Sequence, residues 1–244
     1  MKLEVNEKLK VCMGVVLLIA MVILSARLAL YEKGNIVPAS SGGAEMVSSL
    51  QKKTIVIDAG HGGNDPGKVG INNAYEKDIN LQIAKKVKRY LEANDINVIM
   101  VREEDKGLYE EGASNKKVQD MKARVALIDS SDASLAISIH QNSFPQESVK
   151  GTQVFFYQAN EKSKEMAEML QATITELLKP EKEREAKANK DYYLLKKAET
   201  NVLIVECGFL SNKEEAELLI KDTYQERMAW AIAMGAMRCL GEME

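Results

Sequence analysis

Two histidines are the only imidazoles in this 244-residue chain, and each follows an apolar run. His61 follows Thr54-Ile55-Val56-Ile57-Asp58-Ala59-Gly60, and His140 follows Leu135-Ala136-Ile137-Ser138-Ile139. Both runs read as strands, and strand ends are where open α/β sheets hold their ligands. Neutral imidazole is the commonest nitrogen ligand of zinc. The chemistry suggested is a hydrolytic metal site: three protein ligands, one open position and a base that can take a proton from water.

With no third histidine available, the third ligand has to be a carboxylate or a thiolate. Glu76 opens the helix that begins Glu76-Lys77-Asp78-Ile79, where a glycine-rich loop returns to the sheet. A carboxylate there is also favoured by the helix dipole alone. Glu206 ends the apolar strand Val202-Leu203-Ile204-Val205, where an unpaired charge is costly. It needs a metal, a basic partner or a water to activate, and general base is the functional reading. Asp58 is expected to orient His61 by accepting its second ring N–H, or to accept backbone N–H groups of the glycine loop. Asn142, two residues beyond His140, would hydrogen-bond substrate or close a turn before Pro145.

The elements that must position these groups alternate between strands and helices. Strands are expected at Thr54–Asp58, Ile96–Val101, Leu135–Ile139, Thr152–Tyr157 and Val202–Val205. Helices are expected at Asp78–Leu91, Val118–Ile128, Glu161–Leu178, Lys213–Ile220 (with Asn212 as N-cap) and Tyr224–Leu240. That order implies a single α/β domain, a mostly parallel twisted sheet with helices on both faces. Gly60–Tyr75 and Lys106–Lys116 are longer irregular stretches; the first crosses the end of the first strand, and the second reads equally well as a disordered insert.

Lys2, Lys8 and Lys10 precede the apolar run Val11–Leu24, the layout of a secretory signal or an uncleaved anchor over residues 1–31. Residues 32–53, rich in Ser, Gly and Ala, read as a flexible linker, and 54–241 as the catalytic domain. Export is therefore expected, with membrane contact only through the N-terminal segment. A net charge of −3 gives no basic footprint for nucleic acid. Of the three cysteines, Cys207 and Cys239 are expected as buried free thiols and not as a disulfide.

Four ordered motifs carry a resemblance. Ile57-Asp58-Ala59-Gly60-His61-Gly62-Gly63 with Asp65-Pro66-Gly67, then Glu76-Lys77-Asp78-Ile79-Asn80-Leu81, Ser138-Ile139-His140-Gln141-Asn142, and Val205-Glu206-Cys207-Gly208-Phe209-Leu210-Ser211-Asn212 resemble the zinc-dependent N-acetylmuramoyl-L-alanine amidases. The resemblance implies that His61, Glu76 and His140 bind Zn2+ and that Glu206 is the catalytic glutamate. It also implies peptidoglycan as substrate, cleaved between the lactyl group of N-acetylmuramic acid and L-alanine. Within the family the chain looks most like the spore-cortex branch, which strips stem peptides to prepare muramic-δ-lactam. Arg102-Glu103 and the Glu110–Arg124 stretch support that branch. Gln141, Ser143 and Asn201 depart from residues usual in the family and are expected at the rim of the cleft. Some members need an activating protein partner, and the bare domain here allows one.

Three rival readings stay open on the residues alone. One is a thiol hydrolase using Cys207 with His140, although adjacent strand residues point to opposite faces and so separate Cys207 from Glu206. Another is a two-histidine, one-carboxylate iron oxygenase, which leaves Glu206 unexplained. The third is a tethered wall-binding protein that keeps the fold without turnover.

Overall fold

The structure, a computed structural model, describes residues 53–241. The signal or anchor over 1–31 and nearly all of the linker over 32–53 lie outside the described residues. Among the described residues no helix is long and apolar enough to cross a membrane.

Apolar runs that can be buried on both faces form the centre of the molecule. Strands β1 (Thr54–Ala59), β2 (Asn97–Met100), β3 (Leu135–Asn142), β4 (Gln153–Tyr157), β5 (Lys187–Asn189) and β6 (Val202–Phe209) make one six-stranded sheet in the order β2-β1-β3-β6-β4-β5. β1 is parallel to β2 and β3, β3 is parallel to β6, and β4 is parallel to β5. The junction between β4 and β6 is antiparallel. The β3–β4 connection, 143–152, holds no helix. It is too short for a crossover, so the chain turns back on itself. β6 is buried along its whole length and sits between β3 and β4.

Helices α1 (Glu76–Glu92), α3 (Glu161–Leu178), α5 (Lys213–Leu219) and α6 (Asp222–Gly241) bury their apolar residues in one large cluster with Ile55, Ile57, Ile137, Ile139, Leu203, Val205 and Cys207. Helices α2 (Lys116–Asp129) and α4 (Tyr193–Lys197) pack over a smaller cluster that holds Val56, Ala136, Val202 and Ile204. The two clusters take alternate residues of each strand, as the two-residue period of a pleated sheet requires. Asn160 and Asn212 cap α3 and α5, their side-chain oxygens accepting from Ser163 N at 2.9 Å and Glu215 N at 3.0 Å.

The elements expected from the pattern are present within one to four residues at their ends. Two were not anticipated: the three-residue edge strand β5 and the five-residue helix α4. Asn201 is not at the cleft. It precedes β6 at the opposite end of the strand, where its Oδ1 accepts from Asn160 Nδ2 at 3.2 Å and Ser163 Oγ at 3.3 Å.

Candidate active site and its metal-ligating residues

Alternation sends Asp58, Ser138, His140 and Glu206 to the face covered by α2 and α4. The register pairs Asp58 with Ser138 and His140 with Glu206. Asp58, His140 and Glu206 line a groove of about 700 Å³ at the C-terminal ends of β1, β3 and β6. Tyr109, Lys116, Lys117, Tyr192 and Tyr193 are among its other lining residues.

His61, Glu76 and His140 converge there, with one donor atom from each lying within 4.8 Å of the others. Glu76 Oε1 is 3.2 Å from His61 Nε2 and 3.0 Å from His140 Nδ1. The two rings meet edge to face at a centroid distance of 5.0 Å. Ligands about 2.0 Å from a tetrahedral metal lie ~3.3 Å apart, so the two Glu76 spacings suit one small divalent ion. The donor set, two imidazoles and a carboxylate, suits zinc.

Local backbone explains the convergence. His61 itself is left-handed, with φ 62°. A Cβ on Gly60 would fall on the His140 imidazole. Gly67, at φ 68°, lies so close that a Cβ would press on the Glu76 carboxylate and the His61 ring. Only glycine fits both positions. The Glu76 carboxylate is 2% exposed and accepts from Lys68 N at 2.7 Å and Gln141 N at 3.1 Å. Burial raises its pKa, but the two imidazoles outweigh burial and hold it far below the usual carboxylate range.

Glu206 sits differently. Its Oε2 is buried without a hydrogen-bond partner among the described residues. Burial pushes its carboxyl up to about 7; the His140 imidazole pulls against that rise and the Glu76 charge adds to it. A carboxylate poised near neutrality and facing a groove is equipped to accept a proton from water and return it.

Two expectations require correction. Asp58 does not touch His61. Its carboxylate is taken by Arg124 NH1 and by the Ser138 hydroxyl, which donates at 2.6 Å. Burial raises the Asp58 pKa, yet the Arg124 charge and the Ser138 hydroxyl leave it below the usual range. The residue at His61 Nδ1 is Asp65, whose Oδ2 lies 2.9 Å away and whose Oδ1 accepts from Gly67 N at 3.0 Å. Its place inside the quoted glycine motif was the available signal. Gln141 does line the groove, but it is buried and not on an exposed rim, its amide donating to Asn80 Oδ1 at 3.1 Å.

Asn142 and Ser143 line the groove, and the Asn142 side chain accepts from Ser143 N at 2.8 Å. The Lys106–Lys116 stretch and the residue before it are tied to the glycine loop: Asp105 accepts from Gly63 N at 2.8 Å and Tyr109 Oη from Asn64 N at 2.8 Å. Cys207 points to the opposite face, fully buried, and burial pushes its thiol well up. Cys239 is likewise free and buried.

An α/β sheet with a His–Glu–His cluster that could hold a metal ion, and an unpartnered glutamate at its strand ends, defines the class: a hydrolytic domain. The chain belongs to the N-acetylmuramoyl-L-alanine amidase family, whose model matches residues 55–238, and its activity is that of a cell-wall amidase. It is 38% identical over 196 residues to the germination-specific N-acetylmuramoyl-L-alanine amidase of Bacillus subtilis, covering 79% of this chain and 82% of the relative. Among solved structures, the CwlD amidase of Clostridioides difficile in complex with the GerS lipoprotein is 39% identical with a TM-score of 0.75, covering 78% of this chain and 100% of that one. A second amidase, from Clostridium difficile 630, is 32% identical with a TM-score of 0.71, covering 79% and 99%.

Proposed function

We propose that the chain is a zinc-dependent amidase of the spore cortex. It would cleave the amide between the lactyl group of N-acetylmuramic acid and L-alanine, the step that prepares muramic-δ-lactam for germination. The observation that carries the hydrolytic reading is the meeting of His61, Glu76 and His140 within 4.8 Å beside a buried carboxylate oxygen that nothing satisfies.

His61 through Nε2, His140 through Nδ1 and Glu76 through Oε1 would hold the metal. When bound, zinc supplies a Lewis acid that polarises the carbonyl and acidifies water. Glu206 then takes a proton from a water in the groove as that water attacks the carbonyl carbon. As the C–N bond breaks, Glu206 returns the proton to the alanine nitrogen, which leaves as a neutral amine. Asp65 keeps the His61 proton on Nδ1 and so leaves Nε2 free to ligate. Asn142, which lines the groove, would hydrogen-bond the substrate.

The thiol alternative has no support in the geometry, because the Cys207 thiol is fully buried on the other face. The cortex role rests on the similarity to the germination-specific relative. The complex of the similar CwlD amidase with a lipoprotein supports an accessory protein here too. Action outside the cytoplasm, with residues 1–31 as signal or anchor, accords with the cell-wall substrate.

Peptidoglycan incubated with purified protein and zinc, followed by mass analysis of the fragments, tests the proposal. Unsubstituted muramic acid and free stem peptides are expected, lost with chelator and restored by zinc. Full activity in a metal-free protein would overturn the zinc reading. Activity that appears only on adding sporulation-stage extract would assign it to a partner-dependent enzyme.

A further inference from the structure

Arg102 and Arg124 are the largest fully buried side chains among the described residues, and the amide chemistry above uses neither. Both point at the same short piece of backbone. The Ala59 carbonyl accepts from Arg102 Nε at 2.8 Å and from Arg124 NH1 at 3.0 Å. The Gly60 carbonyl accepts from Arg102 NH2 at 3.0 Å, and the His61 carbonyl from Arg124 NH2 at 2.6 Å. Three successive carbonyls, ending at His61, are thus gripped by two guanidinium groups.

We propose that Arg102 and Arg124 are positioning residues that lock the β1 exit and thereby aim the His61 imidazole at the metal. The inference rests on His61 being a metal ligand. His61 holds φ 62°, a conformation that a residue with a Cβ adopts only where its surroundings impose it. The hydrogen bonds of Arg102 go to carbonyls and none to a carboxylate, its other two acceptors being Glu104 O and Lys77 O. A buried cation without a hydrogen-bonded anion is costly. Its compensation here is the fixed direction of the backbone dipoles it binds. Arg124 is anchored from behind by Asp120, at 2.6 Å, and by Asp58, which Ser138 ties to the strand bearing His140. The clamp therefore spans the strands of both histidines. A lysine could meet one of these acceptors but could not reproduce a planar fork.

The test is the zinc dissociation constant of the full-length protein, measured by competition with a chromophoric chelator. Arg102→Ala and Arg124→Lys are each expected to weaken zinc binding 10–100-fold, the usual effect of losing a group that orients a ligand. At saturating zinc KM should stay at the parental value, and millimolar guanidinium ion should restore part of the affinity of Arg102→Ala. Ile174→Ala, a cavity in α3 on the far face, should lower the melting temperature and leave zinc affinity unchanged. If Arg102→Ala does not fold, Arg102→Lys decides, since it keeps the charge and should show the same loss. Parental affinity in the arginine variants, with zinc binding abolished in His61→Ala, would overturn the clamp alone. Undiminished zinc binding in His61→Ala would instead overturn the metal reading beneath it.

Discussion

Among the described residues four helices cover one face of the sheet and two cover the other, and Asp58, Ser138, His140 and Glu206 alternate onto the second. The first face is an apolar layer of isoleucine, leucine, valine and alanine with side chains almost entirely buried. The second carries buried polar groups in a row, partnered near β1 and unpartnered on β6. The difference teaches where each kind of work is done. Apolar burial on the first face supplies stability at roughly 25 cal/mol per Å². The second face holds the Asp58 charge because a guanidinium group and a hydroxyl satisfy it, whereas Glu206 is left without a partner. Neighbours in sequence can therefore have unrelated duties, as Glu206 and Cys207 do.

The sharpest break in that division is His61→Ala, expected to remove both bound zinc and turnover while the sheet still folds. Metal analysis beside far-UV circular dichroism checks it. Glu206→Gln comes next, with turnover down about 10²–10⁴-fold and one zinc per chain retained. Parental turnover in that variant would exclude Glu206 as base. Asp65→Asn should weaken zinc binding by about 10–100-fold, read by chelator competition.

A pH effect follows from the second face. In metal-free protein the Glu206 carboxyl, ordinarily near 4.5, is pushed up to about 7 by burial, against the pull of the His140 imidazole and with the Glu76 charge adding to it. The neutral acid is thus favoured by folding. Its contribution is fully present below the unfolded value and is lost as pH rises through about 7. Denaturation with chelator present should show Glu206→Gln gaining roughly 1–3 kcal/mol on the parent between pH 4.5 and 8; a pH-independent difference would count against it. The smallest effect on turnover is expected on the first face. Cys207→Ala should leave peptidoglycan cleavage unchanged and cost about 1–2 kcal/mol of stability, read from a denaturant midpoint.

Much of this arrangement was legible before any coordinates. The runs ending at His61, His140 and Glu206 carry the period and punctuation of buried strands, and Asn212 the chemistry of a cap. The carbonyl acceptors of Arg102 and Arg124 were not legible, because they depend on a left-handed His61 that no periodicity encodes. Asp58 was misassigned for a related reason. It lies on β1, three residues before His61, but its partners Arg124 and Ser138 are 66 and 80 residues away. The reversal of β4 was hidden too, since strand direction follows from a helix-free connection and long-range pairing with β6.

One feature of the sheet bears on how such a molecule is made. The strand latest in sequence lies in the interior, between β3 and β4, so both remain unzipped until synthesis passes Phe209. A nascent polypeptide halted earlier would present two hydrophobic edges ready to pair with another chain. Such a fragment would still contain His61, Glu76 and His140 but lack the glutamate that moves the proton, so premature termination should yield sticky, inert material and not an unregulated lytic enzyme.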